Sequence, residues 1–157
     1  MLPDVIRLLR PHQWVKNVLL LVPLALAHHL ADMHALQTVL VAILSFSAVA
    51  SAIYVVNDVA DVRSDRAHPT KQHRPLAAGR LTIGQALVLV PILLGVSAWI
   101  SLSWLPEMFS WWLLVYVALT TAYSFGLKRI MIVDVLVLSI LYTCLLYTSD
   151  AADERIV

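Results

Sequence analysis

The chain has 157 residues, 61% hydrophobic and 13% charged, with a formal net charge of +1 and a single cysteine. A soluble domain of this size carries nearer half apolar and a quarter charged residues, so the composition points to a membrane protein. The lone Cys144 excludes an internal disulfide framework, and the near-neutral balance gives no signal for nucleic acid.

A spanning helix needs about 20 mostly apolar residues. In chain order, five stretches approach that length: roughly residues 18–30, 36–56, 83–102, 109–127 and 130–147. The first is short and has Trp14 and Lys16 as a polar and aromatic lead-in. No cleavable signal peptide is read at the amino terminus. Pro23 and Pro91 fall inside predicted spans, where neighbouring helices can satisfy the freed carbonyls. The predicted fold class is therefore all-α: a polytopic transmembrane helical bundle of about five helices.

The charges set an expected orientation. Arg7, Arg10 and Lys16 precede the first span, Arg63, Arg66, Lys71, Arg74 and Arg80 follow the second, and Lys128 and Arg129 follow the fourth. The two intervening turns, 28–34 and 104–109, carry no Lys or Arg. Basic loops stay cytoplasmic, which places the amino terminus inside and the chain in a bacterial inner membrane as a multi-pass protein. Trp99, Trp104, Trp111 and Trp112 gather about the opposite turn, as an interfacial aromatic belt does.

Residues 144–154, CLLYTSDAADE, read as a translated sequencing adapter. The natural frame is expected to end near Thr143, leaving 1–143 as the amino-terminal part of a transmembrane domain and 144–157 as a non-native tail.

The segment NDVADVRSDRAHPTKQHRPLAAG, residues 57–79, carries the chemistry. Asp58, Asp61 and Asp65 are spaced i, i+3 and i+7, which puts three carboxylates on one face of a continuing helix. Like charges stacked in that way repel unless a cation lies among them. A hard divalent ion suits oxygen ligands, and Mg2+ is typically held by one or two carboxylates plus substrate phosphates. Asn57 adds an amide oxygen to this expected ligand set. Pro69 stops the helix, and Lys71, His73 and Arg74 follow at once. An acidic face beside a basic loop supplies both parts of a diphosphate site, metal bridging and charge neutralisation.

Two other segments lie on the same side. LRPHQWVKN, residues 9–17, brings Arg10, Gln13, Lys16 and Asn17 to the mouth of the first span. Ordinary positive-inside anchoring accounts for Arg7 and Arg10, and less well for Lys16 and Asn17. AYSFGLKR, residues 122–129, places Tyr123 in the last turns of the fourth span and Lys128 and Arg129 at its end, where the helix dipole favours cations. Asp134, about one turn into the fifth span, is an ionisable group inside a membrane segment, with an ion pair to Lys128 or Arg129 as the structural alternative. His28, His29 and His34 belong to the opposite side and are read as interfacial residues, not metal ligands.

At these residues the sequence resembles the UbiA superfamily of intramembrane prenyltransferases. NDVADVRSD is similar to the first Asp-rich motif of that family, and Tyr123 with Lys128 to its tyrosine-lysine element. RPHQWVKN together with DRAHPTKQHRPLAAG is most similar to the family's phosphoribosyl-transferring branch. The resemblance implies a nine-helix bundle around a lipid-facing cavity, with Mg2+ and a diphosphate at its cytoplasmic mouth. For that branch it implies 5-phosphoribosyl 1-diphosphate as donor and a polyprenyl (decaprenyl) phosphate as acceptor, with diphosphate released. Asn57, Asp58, Asp61 and Asp65 would hold the metal, and Lys16, Asn17, Lys71, Arg74, Tyr123 and Lys128 would contact substrate. The sequence departs from the family in having about five of nine helices and no second acidic motif, so the chain alone is expected to be inactive and incompletely packed. The alternative within the family moves a prenyl group from its diphosphate to an aromatic ring. The alternative from another class is a non-catalytic lipid-binding or transport protein, although its acids would gather near the midplane and not at one mouth.

Overall fold

The structure, a computed structural model, describes residues 1–26, 28 and 30–126. The described residues are helical, with no strand among them. Helix α1 (Leu2–Leu9) opens the chain and buries Leu8. Pro11 cannot continue an α-helix, and Arg10 ends α1 in the left-handed region at φ 50°. A 3-10 helix of 11 residues, Pro11–Leu21, follows, and then the short α2 (Val22–Leu26).

This differs from the span expected over residues 18–30. The first segment starts earlier, ends earlier and is mostly 3-10. Such runs rarely exceed three or four residues. Its rise per residue is larger: 11 residues at about 2.0 Å and five at about 1.5 Å reach about 30 Å, with His12, Gln13 and Lys16 in the first half and the apolar part from Val18 onward. With three residues per turn, Trp14, Asn17 and Leu20 eclipse one another in a single stripe. Asn17 and Leu20 in that stripe are buried, whereas Val15, Lys16, Val18 and Leu19 are exposed.

The central element is α3 (Met33–Ala60), capped by the Asp32 carboxylate, which accepts from the backbone N–H of His34 and Ala35. Helix α4 (Val62–Ala67) continues it after a break and stops at His68, whose extended backbone is what a residue before proline adopts. Helix α5 (Ile83–Trp104) starts on a capping box between Thr82 and Gln85, and α6 (Glu107–Gly126) returns after a short turn. The predicted second, third and fourth spans are thus present: the second extends at both ends, the third by two residues at its end, and the fourth starts two residues earlier and is described to Gly126. Helices α3 and α5 are long and apolar enough to cross a membrane, and α6 carries a shorter apolar stretch. The predicted fifth span, with Asp134, and the tail from Cys144 lie outside the described residues.

Two cores hold the bundle. One, deep in the membrane segments, gathers Leu20, Leu24, Phe46, Phe109, Leu113 and Tyr116. The other closes the charged end with Leu8, Val55, Val62, Leu76, Leu81 and Ala86. Small polar residues draw the helices together between them. The Ser45 and Ser97 hydroxyls lie 2.8 Å apart, and Ser97 donates to the Ser45 carbonyl at 2.8 Å, which joins α3 to α5. Ser101 and Ser110 join α5 to α6 at 2.6 Å. Small hydroxyl residues permit this close approach where lipid supplies no hydrophobic drive.

Candidate functional site: an acid and guanidinium cluster at the end of α3

The site forms where α3 breaks. Asp61 sits at the junction, with φ −96° and ψ 6°, and its N–H still reaches the Asn57 carbonyl at 2.9 Å. The break alters the expected helical face. Asp58 and Asp65 are both 3% exposed and turn into the protein, whereas Asp61 and Asn57 are half-buried beside them. Asp58 and Asp65 thus converge with the half-buried Asp61 beside them, and no group of three or more His, Cys, Asp or Glu placed to hold a metal occurs among the described residues.

Arg74 bridges the two. Its Nη1 donates to Asp65 Oδ2 at 2.8 Å and to Asp58 Oδ1 at 3.3 Å. Arg10 Nη2 donates to the same Asp58 oxygen at 2.6 Å, and its guanidinium lies 5.2 Å from the centroid of the Tyr54 ring. Arginine suits both contacts, being permanently charged and planar. Two guanidinium groups face two buried carboxylates, so these four side chains balance one another, with the half-buried Asp61 beside them. Burying either acid without such a partner would cost several kcal/mol.

Arg74 is held by its loop. Arg66 Nε donates to the Ala77 carbonyl at 3.2 Å, and Arg80 Nη2 donates to the His73 carbonyl at 2.6 Å. Arg80 also pairs with Asp4 of α1 at 3.3 Å. Gly79, at φ +75°, makes the turn that brings Leu81 back to the core.

Arg10 is held by a ladder. On α3, Ser47, Ser51, Tyr54 and Asp58 are spaced i, i+4, i+7 and i+11 and share one face. Asn17 Nδ2 donates to Ser47 Oγ at 2.9 Å, Trp14 Nε1 donates to Ser51 Oγ at 2.9 Å, and Arg10 meets Tyr54 and Asp58. The eclipsed stripe of the 3-10 segment thus pairs antiparallel with this face. Ser51 Oγ donates in turn to the Leu9 carbonyl at 2.9 Å, which fixes the chain just before Arg10.

The sequence-predicted residues divide accordingly. Asp58, Asp65 and Arg74 come together, with Asp61 and Asn57 alongside. Asn17 is buried lower on the ladder and supports Arg10 from a distance. Lys16 and Lys71 are exposed and make no ion pair among the described residues. Tyr123 belongs to the last turn of α6, and Lys128 lies outside the described residues. Arg10 is the residue that sequence reasoning assigned to anchoring alone. Its available signal was the row of hydroxyl, aromatic and acidic positions on one face of α3, opposite a polar stripe of period three.

The described chain is thus a helical membrane protein with a buried acid and guanidinium cluster at one end of its bundle. The profile of the UbiA prenyltransferase family matches residues 18–149, and the chain belongs to that family. It is 42% identical over 142 residues to the decaprenyl-phosphate phosphoribosyltransferase of Mycobacterium tuberculosis, covering 88% of this chain and 47% of that protein. The protein of the same name from Corynebacterium glutamicum is 42% identical over 139 residues, 85% of this chain and 41% of its own length. Nodulation protein NoeC of Azorhizobium caulinodans is 40% identical over 137 residues, 85% of this chain and 43% of its own length. The chain thus spans less than half the length of these relatives.

A hard divalent ion here would draw on two carboxylates and need further oxygens from a substrate. Asp58 and Asp65 supply anionic oxygens, and both already close upon one cationic nitrogen of Arg74. Two carboxylates with substrate oxygens are an ordinary complement for Mg2+.

Proposed function

We propose that this chain is the amino-terminal part of a Mg2+-dependent transferase that moves 5-phosphoribose from phosphoribosyl diphosphate to a polyprenyl (decaprenyl) phosphate and releases diphosphate. The observation that carries the reading is its identity of about 42% with decaprenyl-phosphate phosphoribosyltransferases across a stretch that includes the Asp58, Asp65 and Arg74 cluster. The protein lies in a bacterial inner membrane with its amino terminus and this cluster on the cytoplasmic side, where the water-soluble donor is available. The basic residues gathered at that end support the orientation.

In this reading Asp58 and Asp65, with Asp61 and Asn57 beside them, hold Mg2+, which when bound offsets charge on the donor's diphosphate. Arg74 and the exposed Lys71 and Lys16 neutralise further phosphate oxygens. An oxygen of the ionised lipid phosphate forms the new bond to the anomeric carbon as the bond from that carbon to diphosphate breaks. Such a nucleophile needs no strong general base, so positioning and electrostatics carry the rate. The 3-10 segment sets Arg10, and Arg10 in turn orients Asp58.

The test uses membranes containing the full-length parent of this chain, given labelled phosphoribosyl diphosphate, polyprenyl phosphate and Mg2+. Label entering the lipid phase, and lost in Asp65→Asn, is the expected result. Prenylation of an aromatic acid from a prenyl diphosphate would move the reaction to the other branch of the family. Absence of both would leave a lipid-binding or transport role. The 157-residue chain alone is expected to be inactive, and turnover by that purified chain would refute this.

A further inference from the structure

We propose that Arg74 couples metal binding to anion binding, so that Asp58 and Asp65 accept a divalent cation readily only when a diphosphate arrives with it. This inference rests on the metal-diphosphate reading above and adds an order to it.

The argument begins with charge. The Arg74 Nη1 atom occupies the position between the two carboxylates, 2.8 Å from one and 3.3 Å from the other, that a shared cation would take. Arg10 takes further charge from Asp58 at 2.6 Å. A divalent ion entering alone would meet an acid pair already balanced by two guanidinium groups, beside carboxylates only 3% exposed, where water screens the repulsion poorly. A divalent ion entering with diphosphate brings net negative charge. The guanidinium can then leave the carboxylates for the phosphate oxygens, which accept its planar fork equally well.

The two arginines are not equivalent in this exchange. Arg10 is braced by the Tyr54 ring, by the shorter contact to Asp58 and by the ladder that fixes Leu9 and Trp14 on either side. Arg74 is on the loop between α4 and α5 and is the more exposed side chain, at 29% against 21%. Its contact to Asp58 is the longer one, at 3.3 Å, beside its 2.8 Å contact to Asp65. Arg74 serves both acids from one nitrogen and is the group placed to exchange them for phosphate oxygens.

A plain phosphate ligand at position 74 would strengthen diphosphate binding and leave the metal's own affinity untouched. A resident counter-cation lowers that affinity until the anion relieves it. The two roles are separated by following Mn2+, a spectroscopic substitute for Mg2+, by electron paramagnetic resonance in full-length protein in nanodiscs, with and without inorganic diphosphate. In wild type, diphosphate is expected to tighten Mn2+ binding at least about tenfold, inside the roughly 5- to 150-fold range of measured site couplings. In R74Q, Mn2+ alone binds tighter than in wild type, and the gain from diphosphate falls below about threefold. R74K, which keeps the charge but not the fork, lies between the two and decides the matter if the melting temperature shows R74Q unfolded. Equal Mn2+ affinity without diphosphate in wild type and a folded variant would overturn the coupling and leave the transferase reading intact. Failure of wild type to bind Mn2+ with or without diphosphate would overturn both.

Discussion

Leu8 and Leu20 are buried to the same degree, at 0% and 1% exposure, yet their surroundings differ in kind. Leu8, on α1, fills the core at the charged end with Leu76 and Leu81 of the loop that follows Arg74. Leu20 fills the core among the membrane segments, beside Phe46, Phe109 and Tyr116. At the charged end the competing solvent is water, so apolar burial contributes its full transfer free energy and each buried charge needs a partner. In the membrane segments the competing solvent is as apolar as leucine, so only packing and interhelical hydrogen bonds hold the helices. That is why serine pairs join α3, α5 and α6 in one region, while ion pairs and an apolar floor close the other.

The largest expected effect is at the charged end. Asp58→Ala leaves Arg10 without its acid and Arg74 with one of two, and should cost about 3 kcal/mol and abolish transfer. Unfolding in mixed micelles and the lipid-label assay on the full-length protein would check the two parts. Leu8→Ala should follow at about 3 kcal/mol, the sum of transfer and cavity terms. Leu20→Ala should cost only about 1–2 kcal/mol, since lipid removes the transfer term and leaves the cavity. If the two leucine variants unfold at the same detergent concentration, the proposed difference in solvent is wrong. Ser47→Ala, which takes the partner from buried Asn17, should be smallest at about 0.6 kcal/mol. A clear fall in donor affinity alongside that small change would show the ladder transmitting position to Arg10, whereas unchanged kinetics would limit it to support.

Much of the fold was legible because its signals are local. An apolar run of sufficient length placed α3 and α5, while the caps at Asp32 and at Thr82 with Gln85, which fix where they start, came from the structure. The segregation of Arg and Lys into alternate loops likewise needs no contact map. The first membrane segment was misread because its helix type is not a local property. Residues 11–26 are too few for an α-helical span, and the period-three stripe sets Trp14 and Asn17 against Ser51 and Ser47.

The site shows the same division. The sequence by itself determined a membrane protein of the UbiA family with an acidic segment and a basic loop at one end of its second long helix. Composition, span length and motif spacing are carried by neighbouring residues, so they survive without coordinates. Tertiary structure alone decided that Asp58 and Asp65 turn inward together, that Arg74 closes between them, and that Arg10, 48 residues from Asp58, shares the same oxygen. Those contacts depend on where α3 breaks at Asp61 and on how two segments with different helical periods align. No spacing within either segment encodes that alignment.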